Sequence, residues 1–474
     1  MKTASLLAFA ASLAQTIDCL SVPPFQQRRD GLKVVGLETE RRAAKNPAHR
    51  DRLRRRGNVE VGLDNEETLY FINGTVGTPP RSVRLHLDTG SSDLWVNTPQ
   101  SALCAQRSQP CQYAGTYRAN SSSTYEYIGS YFNISYVDGS GASGDYVSDT
   151  VSFGGTTIDR LQFGIGYSSS NSQGILGIGY PLNEVQVGRA GLRPYRNLPA
   201  QMVAEGLIQS NAYSLWLNDL DANKGNILFG GVDAEKYHPP LWSLPVESET
   251  GVYAEFMITL TKLTLGDKRI GGNLAIAVLL DTGSSLTYLP DTMVQEIYNA
   301  VGAQYDSDAN AAYVPCSLAN DRRLLNFTFS SPTISVEMNE LVLDLITSSG
   351  QRPTFSNGVT ACLFGIAPAG TGTNVLGDTF LRSAYVVYDL DNNLISLAPT
   401  RFNTTATRVL EIGTGENSVP GATRVQNPVK ATAGLHGLNG ATSISGAASS
   451  VTKLRRMGAF YALSVAILAG VLVL

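Results

Sequence analysis

Residues 85–96 read LHLDTGSSDLWV, and residues 278–289 read VLLDTGSSLTYL, the same pattern 193 positions later. Each copy is followed by a second shared motif, GILG at residues 174–177 and NVLG at residues 374–377. Internal repetition on this scale indicates two similar lobes. The sequence between the motifs consists largely of short apolar or alternating runs broken by Gly, Asn and Asp, which is typical of strands. We therefore expect a mainly β protein.

The two β-rich lobes are expected at residues 57–240 and 241–400. Two helices are also expected, one over residues 199–205 with a proline in its first turn and one over residues 292–301 capped by Asp291, and each ends before a glycine. The clearest predicted strands span residues 131–136, 146–153 and 384–388.

The repeated Asp-Thr-Gly motif has a chemical interpretation. An apolar strand delivers a carboxylate, Asp88 or Asp281, to the surface of its lobe, and the glycine lets the backbone turn and approach closely. Two facing carboxylates cannot both ionise and so share a proton. One can then activate a water lying between them while the other polarises a peptide carbonyl, without a metal. The residues expected to support the pair are Thr89, Gly90, Ser91, Thr282, Gly283 and Ser284.

From about residue 66 to residue 400 the sequence resembles the pepsin family of aspartic proteases. The resemblance rests on both DTGSS motifs, both apolar-apolar-Gly motifs, GDTFLR at residues 377–382 and YDLDNN at residues 388–393. It implies a bilobal pepsin-like fold, with an active-site cleft between the lobes, and the activity of an aspartic endopeptidase.

The resemblance also implies residue roles. Asp88 and Asp281 are the catalytic pair, and Ser91 and Ser284 support them by hydrogen bonds. Trp95 backs the cleft, and Tyr136 is the flap tyrosine.

The flap reads YVDGSG at residues 136–141, so Asp138 and Gly139 are expected to contact substrate on a hairpin that closes over it. Val137 stands where the family usually has Gly, which bears on flap mobility and substrate range.

Within the family, the chain resembles the fungal yapsin-type proteases, which are attached to the cell surface by a GPI anchor. The resemblance implies cleavage near basic residues. Residues 57–400, which we call the body, hold seventeen Lys/Arg and thirty-three Asp/Glu, a net charge of −16. This charge and Asp138 on the flap would attract cationic peptides. The body is expected to lie on the outer side of the cell membrane. We expect a monomer that acts on peptides or proteins.

The N-terminus is expected to be removed. Residues 1–14 form a short apolar run after Lys2, as in a secretory signal peptide. Residues 15–56 are interpreted as a basic pro-segment that is cleaved after Arg56, with a solvated linker as the alternative. Residues 21–56 hold eleven Lys/Arg and four Asp/Glu. Attraction to the acidic body is expected to hold this segment on the body near neutral pH and to weaken in acid, where carboxylates become protonated.

The C-terminus has the layout of a GPI signal. Residues 401–446 are rich in Ser, Thr, Gly and Ala and are expected to form a flexible, glycosylated stalk. Residues 447–474, which end in an apolar run, are expected to be replaced by the anchor at Gly446 or, alternatively, Asn439. A permanent single-pass helix is the competing interpretation.

Cysteines and sequons also suit an oxidising, secretory route. Sequence proximity favours the disulfides Cys104–Cys111 and Cys316–Cys362, whereas Cys19 lies beside the signal peptide. The Asn-x-Ser/Thr sequons that are candidates for N-glycosylation lie at Asn73, Asn120, Asn133, Asn326 and Asn403.

Several other functions lack support. The acidic body would repel nucleic acid. The body holds only His86 and His238 and no Cys-x-x-Cys, so no metal is expected, and no motif predicts a cofactor. His86 is expected to pack within its strand. Two alternatives remain: a catalytically silent pepsin-fold protein that binds peptide or glycan, and a glycoside hydrolase using the two carboxylates.

Overall fold

Strands dominate the protein, as predicted. The structure is a computed structural model that describes residues 31–42, 69–136, 140–222, 224–307, 309, 311–345 and 351–435. The strands of its first half are β1 (Val35–Arg42), β2 (Leu69–Val76), β3 (Arg81–Asp88), β4 (Leu94–Asn97), β5 (Glu126–Ser135), β6 (Gly141–Phe153), β7 (Thr156–Ser169), β8 (Gly174–Gly177), β9 (Ala212–Trp216), β10 (Lys224–Phe229), β11 (Gly231–Asp233) and β12 (Leu241–Pro245).

The second half continues in the same way. Its strands are β13 (Met257–Leu260), β14 (Lys262–Leu265), β15 (Lys268–Ile270), β16 (Ile276–Leu280), β17 (Thr287–Leu289), β18 (Gln304–Asp306), β19 (Ala311–Pro315), β20 (Leu325–Thr328), β21 (Thr333–Val336), β22 (Val342–Leu343), β23 (Ala361–Phe364), β24 (Ile366–Pro368), β25 (Val375–Leu376), β26 (Ala384–Asp389), β27 (Leu394–Pro399), β28 (Val409–Glu411) and β29 (Ala422–Arg424).

One large sheet joins the two halves of the chain. Its strand order is β29-β12-β27-β26-β9-β10-β1-β2-β3-β8-β4-β7-β6-β5, so strands from both ends of the sequence lie side by side. The second lobe adds the five-stranded sheet β13-β16-β25-β17-β24 and two four-stranded sheets. Strands that are buried on both faces, such as β16, are almost continuously apolar, whereas β21 alternates buried and exposed residues.

The helices are short and few in the described part of the chain. They are α1 (Val185–Ala190), α2 (Leu198–Ala204), α3 (Asp291–Val301), α4 (Met338–Leu341) and α5 (Asp378–Leu381), with 3₁₀ turns at Ala119–Ser121, Pro181–Asn183 and Cys316–Asn320. Both predicted helices are present, as α2 and α3. The cap predicted for α3 is wrong: Asp291 is the first helical residue, and its Oδ1 instead accepts a hydrogen bond from the amide of Gly370 at 2.8 Å.

Part of the expected pro-segment is a central strand. β1 pairs antiparallel with β10 from Val35 to Glu40 and with β2 from Glu40 to Arg42. Leu37 is buried. Residues 35–42 of the expected pro-segment are therefore held on the rest of the protein by backbone pairing and burial.

The stalk expected from residue 401 is wrong for residues 401–435. This stretch forms β28, which pairs with β11, and β29, which pairs with β12, and it buries Ile412. Backbone pairing orders it despite its small polar composition. Residues 436–446 lie outside the described part.

Candidate active site

Equivalent strands deliver the two aspartates. Asp88 ends β3, which runs parallel to β8, and Asp281 directly follows β16, which runs parallel to β25. The repeated motifs GILG and NVLG thus lie beside the two DTGSS loops. Asp88 and Asp281 are 3% and 8% exposed, so both carboxylates are largely screened from bulk water.

Each carboxylate is held by its own loop. The amide of Gly90 donates to Asp88 Oδ1 at 2.8 Å, and the Ser91 hydroxyl donates to Asp88 Oδ2 at 2.6 Å. In the second lobe the same hydrogen bonds join Asp281 to the amide of Gly283 and the hydroxyl of Ser284, both at 2.7 Å. One oxygen of each carboxylate therefore accepts from a backbone amide and the other from a serine, which fixes the orientation of both groups.

The two loops are tied together by reciprocal hydrogen bonds. The amide of Thr89 donates to Thr282 Oγ1 at 3.1 Å, and the amide of Thr282 donates to Thr89 Oγ1 at 3.0 Å. Each hydroxyl also donates across the interface at 2.9 Å, Thr89 to the carbonyl of Leu280 and Thr282 to that of Leu87. Both threonines are buried, so these bonds satisfy groups that water cannot reach.

The glycines bring each loop against the opposite aspartate. A β-carbon at Gly90 would lie 2.6 Å from Asp281 Oδ1. One at Gly283 would lie 2.6 Å from Asp88 Oδ1 and 2.8 Å from Asp281 Oδ1, so the two inner oxygens flank one point. No side chain fits there, which explains why glycine occupies both positions.

Comparison with known proteins agrees with this geometry. A family model described as "Eukaryotic aspartyl protease" matches residues 69–400. The chain belongs to the eukaryotic aspartyl protease family. It is 58% identical over 410 residues to the probable aspartic-type endopeptidase opsB of Aspergillus oryzae, covering 85% of this chain and 83% of that protein. It is 39% identical over 359 residues to candidapepsin-3 of Candida albicans, covering 74% and 84% of the two chains.

The fold has a solved counterpart. The crystal structure of the aspartic proteinase from Irpex lacteus matches with a TM-score of 0.59 and 22% identity, covering 79% of this chain and all of that one. Together with the strand content, this likeness confirms the predicted mainly β, bilobal pepsin-like fold. The chain is thus an aspartic-type endopeptidase of pepsin-like architecture.

The flap side of this aspartyl protease is partly described. Trp95 is fully buried on β4, and its indole Nε1 donates to the Tyr136 hydroxyl at 2.7 Å. Tyr136 directly follows β5, and the hairpin continues into β6. The tip, with Val137, Asp138 and Gly139, lies outside the described residues, so the roles predicted for Asp138 and Gly139 stay predictions.

A buried acidic network beside the first loop was missed in the sequence. Asp93 accepts hydrogen bonds from the hydroxyls of Tyr146 at 2.5 Å and Tyr195 at 3.0 Å and from the amide of Val185 at 2.9 Å. Glu184 lies close by and accepts from the amide of Tyr195 at 2.7 Å. Both carboxyls are almost fully buried. The sequence held one signal: the second motif copy has Leu286 where the first has Asp93.

Burial decides the protonation of this network. It raises the pKa of Glu184 to about 10, and the charge of Asp93 adds to the effect. Burial also raises the pKa of Asp93, although the hydrogen bonds from Tyr146, Val185 and Tyr195 oppose the shift. Glu184 is therefore a neutral acid throughout the acidic range.

The nearby histidine packs within its strand, as expected. His86 is buried on β3 with its ring centroid 5.9 Å from that of Phe71. Its Nε2 lies 3.3 Å from the carbonyl oxygen of Thr282. It thus contacts the backbone of the opposite loop.

Both predicted disulfides are confirmed, since Cys104 is bonded to Cys111 and Cys316 to Cys362. Asp344 Oδ1 lies 3.5 Å from the sulfur of Cys362, but a sulfur already in a disulfide is a poor metal ligand.

The candidate glycosylation sites differ in exposure. Asn120, Asn133 and Asn403 are exposed, whereas Asn73 and Asn326 are partly buried. The amide nitrogen of Asn326 donates to Thr264, and its oxygen accepts from Ser335.

The processing and anchoring predictions fall outside the described residues. They concern residues 1–14, Arg56, Asn439, Gly446 and residues 447–474. Among the residues that are described, no helix is both long and apolar enough to cross a bilayer.

Proposed function

We propose that this protein is a secreted, cell-surface endopeptidase that hydrolyses peptide bonds in acid through Asp88 and Asp281. The observation that carries the proposal is the pair of inner carboxylate oxygens flanking one point between two Asp-Thr-Gly loops. Two carboxyl groups that face one point can share a proton between them, one acting as base and the other as acid. The ionised partner accepts a proton from a water held between them, and the protonated partner donates to the carbonyl oxygen of the scissile bond.

The surrounding residues supply orientation. Ser91 and Ser284 hold the outer oxygens, and the amides of Gly90 and Gly283 hold the inner ones, so neither carboxylate turns away as its charge changes. Tyr136, hydrogen-bonded to Trp95, begins the hairpin that would cover a bound peptide and exclude water.

Two other functions are less well supported. A two-carboxylate glycoside hydrolase needs its carboxyl groups roughly 5 Å or more apart. The two inner oxygens here lie 2.6 and 2.8 Å from one point, which puts them at the lower limit of that range or below it. A silent peptide-binding protein would have no reason to keep both aspartates with identical hydrogen bonds. Loss of cleavage on replacing either aspartate would exclude that alternative.

Preference for basic residues is the finer part of the proposal. The acidic body attracts cationic peptides, and Asp138 would add a carboxylate near the flap. The test is Asp138→Asn, with Asp159→Asn as a matched control because Asp159 is an exposed acid on the same lobe. Cleavage of matched basic and neutral peptides should lose its bias only in Asp138→Asn. An unchanged bias would remove the flap argument.

We further propose secretion and a GPI anchor. One relative in Candida albicans is named secreted aspartic protease 3, in line with a leader at residues 1–14. Because residues 401–435 pack on the body, the tether shortens to the residues between 436 and the anchor. An extended chain spans at most about 3.3–3.6 Å per residue. Anchoring at Gly446 would then hold the body within roughly 40 Å of the membrane. We propose that it acts there as a monomer on peptides or proteins, without nucleic acid.

Activation is proposed to follow cleavage after Arg56. Residues 35–40, in β1, read VGLETE, and residues 61–66, just after the proposed cut, read VGLDNE. The new N-terminus of the cleaved enzyme therefore carries a sequence similar to that of β1, the strand between β10 and β2. Replacing Arg54, Arg55 and Arg56 with alanine should leave the pro-segment attached in mass spectrometry and the enzyme inactive. Full activity of an uncleaved chain would contradict this proposal.

The decisive experiment is peptide cleavage by secreted protein ending before Asn439, scanned from acid to neutral pH. Asp88→Asn and Asp281→Asn versions are compared after mass spectrometry has verified removal of the pro-segment. We expect activity in acid that is lost in both variants. Absence of cleavage in the unmodified protein would support the binding protein instead.

A further inference from the structure

The C-terminal segment, residues 401–435, lies outside the part that matches the family model, residues 69–400. It nevertheless packs on the body along its length, and we call it the strap. It pairs with β11, then with β12, and finally reaches β16 through a parallel bridge between Ala433 and Ile276. The strap therefore runs from a two-stranded sheet with β11, past β12 at the edge of the joining sheet, to the strand that leads into Asp281.

The first part of the strap is fixed by buried polar contacts. Lys236 Nζ donates to the carbonyl of Thr404 at 2.8 Å, with the ring centroid of Trp216 at 4.3 Å. Asp233 accepts from the Thr407 hydroxyl and from the amide of Arg408, both at 2.7 Å. A buried lysine and a buried aspartate thus both bind the backbone or side chains of the strap, which anchors its start.

The middle of the strap contributes to a hydrophobic cluster. Ile412 and Val419 are buried in a cluster with Tyr385 of β26 and Tyr237, which lies between β11 and β12. The Ser418 hydroxyl donates to Asp389 Oδ2 at 2.9 Å. Burial of these two aliphatic side chains favours the packing of the strap on the body.

The end of the strap supports the start of β16. The amide of Ala277 donates to the carbonyl of Ala433, and the amide of Thr432 donates to the carbonyl of Ala275, both at 2.8 Å. Gly434 has a φ of +82°, and a β-carbon there would lie 2.8 Å from both the Ala277 oxygen and Asn374 Nδ2. Gly434 therefore lies in a slot between the two chain segments that lead into β16 and β25.

These contacts lie a few residues from the catalytic loop. β16 is followed directly by Asp281, and Asn374 directly precedes β25. Leu279 of β16 pairs with Val375 of β25. The amide of Leu279 donates to the carbonyl of Asn374 at 2.9 Å. A shift of β16 against β25 at the strap would thus be passed along a short, paired segment to Asp281.

We infer that the end of the strap, residues 432–434, is a positioning element for Asp281. These residues pair with the start of β16, and β25 pairs with the end of the same strand. Without it the amide of Ala277 and the carbonyl of Ala275 lose these partners, and the start of β16 is free to move. The strap therefore belongs to the catalytic body and is more than a connection to an anchor.

The test compares two left-handed glycines of the same strap in protein ending before Asn439. Gly434→Ala places a methyl group against Ala277 and Asn374, whereas Gly415→Ala, at φ +89° with nothing within 4 Å, causes the same backbone strain without a contact. We expect Gly434→Ala to lower kcat about tenfold, with KM nearly unchanged and the pH–rate profile displaced. Gly415→Ala should keep kcat within about twofold and an unchanged profile, because its strain is local.

The inference is overturned if the two variants have the same kcat and the same pH–rate profile, even when both unfold at lower temperature. If Gly434→Ala does not accumulate, a chain ending after Val429 provides the same comparison, because it keeps β28 and β29 but lacks residues 432–434. The inference rests on the role proposed for Asp281. An active Asp281→Asn enzyme would refute that proposed function, whereas an unaltered kcat and profile in Gly434→Ala would refute only the role of the strap.

Discussion

The two Asp-Thr-Gly loops are nearly identical in their hydrogen bonds and different in their surroundings. Each aspartate accepts from a glycine amide and a serine hydroxyl at 2.6–2.8 Å. Five residues after Asp88, however, the first lobe has the buried Asp93, whereas the second lobe has the buried Leu286. Trp95, on the strand after the first loop, donates to Tyr136, whereas the strand before the second loop forms a bridge to the strap at Ala433. The two lobes thus match in the hydrogen bonds that orient the carboxylates and differ in what surrounds them.

The strongest way to break the symmetry is at its centre. Gly90→Ala and Gly283→Ala each place a methyl group within 2.6 Å of the opposite aspartate's Oδ1. We expect kcat/KM to fall by about 10³-fold in both variants, because the carboxylates must separate. Peptide cleavage in acid is the measurement. Gly413→Ala, with nothing within 4 Å of the added carbon, is the control and should keep its rate. A large loss in only one lobe would show that the lobes do not contribute equally.

The next test concerns stability at the same interface. Thr89→Val leaves the amide of Thr282 and the carbonyl of Leu280 without their partners, and Thr282→Val does the same to the amide of Thr89 and the carbonyl of Leu87. Each unsatisfied buried group costs about 1–3 kcal/mol. We therefore expect each variant to lose about 3 kcal/mol of unfolding free energy, measured by urea denaturation at one acidic pH.

Serine at either threonine position is the matched control, since it keeps the hydroxyl. Thr89→Ser and Thr282→Ser should each lose less than about half as much, mainly through the missing methyl group. Equal losses of unfolding free energy in Thr89→Val and Thr282→Val would show that the two lobes contribute equally to the stability of the interface. A clear difference would show that one lobe carries more of the interface.

Much of this site could be predicted from the repeated motif. The two DTGSS segments and the apolar strands before them indicated both aspartates, because the pattern fixes local backbone and neighbours within a few residues. The pairing of Thr89 with Thr282 could not be derived, since it depends on how two lobes dock. The acidic network was also missed: Asp93 meets the amide of Val185, which is 92 residues away.

The strap shows a different limit of sequence reasoning. Composition predicted a flexible stalk because residues 401–435 contain few large apolar side chains. Its order comes instead from backbone pairing with β11 and β12, whose free edges are a property of the tertiary fold. A few buried residues, such as Ile412 and Val419, then suffice. Low hydrophobicity predicts disorder only where no neighbouring strand offers hydrogen bonds.

The difference between Asp93 and Leu286 predicts a pH dependence that arises beside the first loop. Glu184, next to Asp93, has its pKa raised by burial from 4.5 in the unfolded chain to about 10. Between these values the unfolded chain releases a proton that the folded protein keeps, so stability falls as pH rises. The slope is at most about 1.4 kcal/mol per pH unit. Stability from this group is therefore complete below about pH 4.5 and decreases above it.

Glu184→Gln is expected to flatten this decline, because the amide stays neutral and its oxygen can still accept from the amide of Tyr195. The melting temperature, followed from pH 4 to pH 8, should fall less in the variant than in the parent. Glu205→Gln, at an exposed position on the same lobe, is the control and should leave the decline as it is. Parallel curves for Glu184→Gln and the parent would contradict the prediction.

The smallest expected effect lies at the flap, which distinguishes the two loops on the substrate side. Tyr136→Phe removes the acceptor for the buried Trp95 Nε1 and so costs about 1 kcal/mol of hydrogen-bond energy when the flap closes. We expect kcat/KM for peptides to fall about fivefold, with little change in melting temperature. Tyr288 occupies the position of Trp95 in the second motif copy and is buried on β17. Tyr288→Phe should therefore affect melting temperature more than kcat/KM, and the opposite ranking would mean that the second loop also contacts substrate through this position.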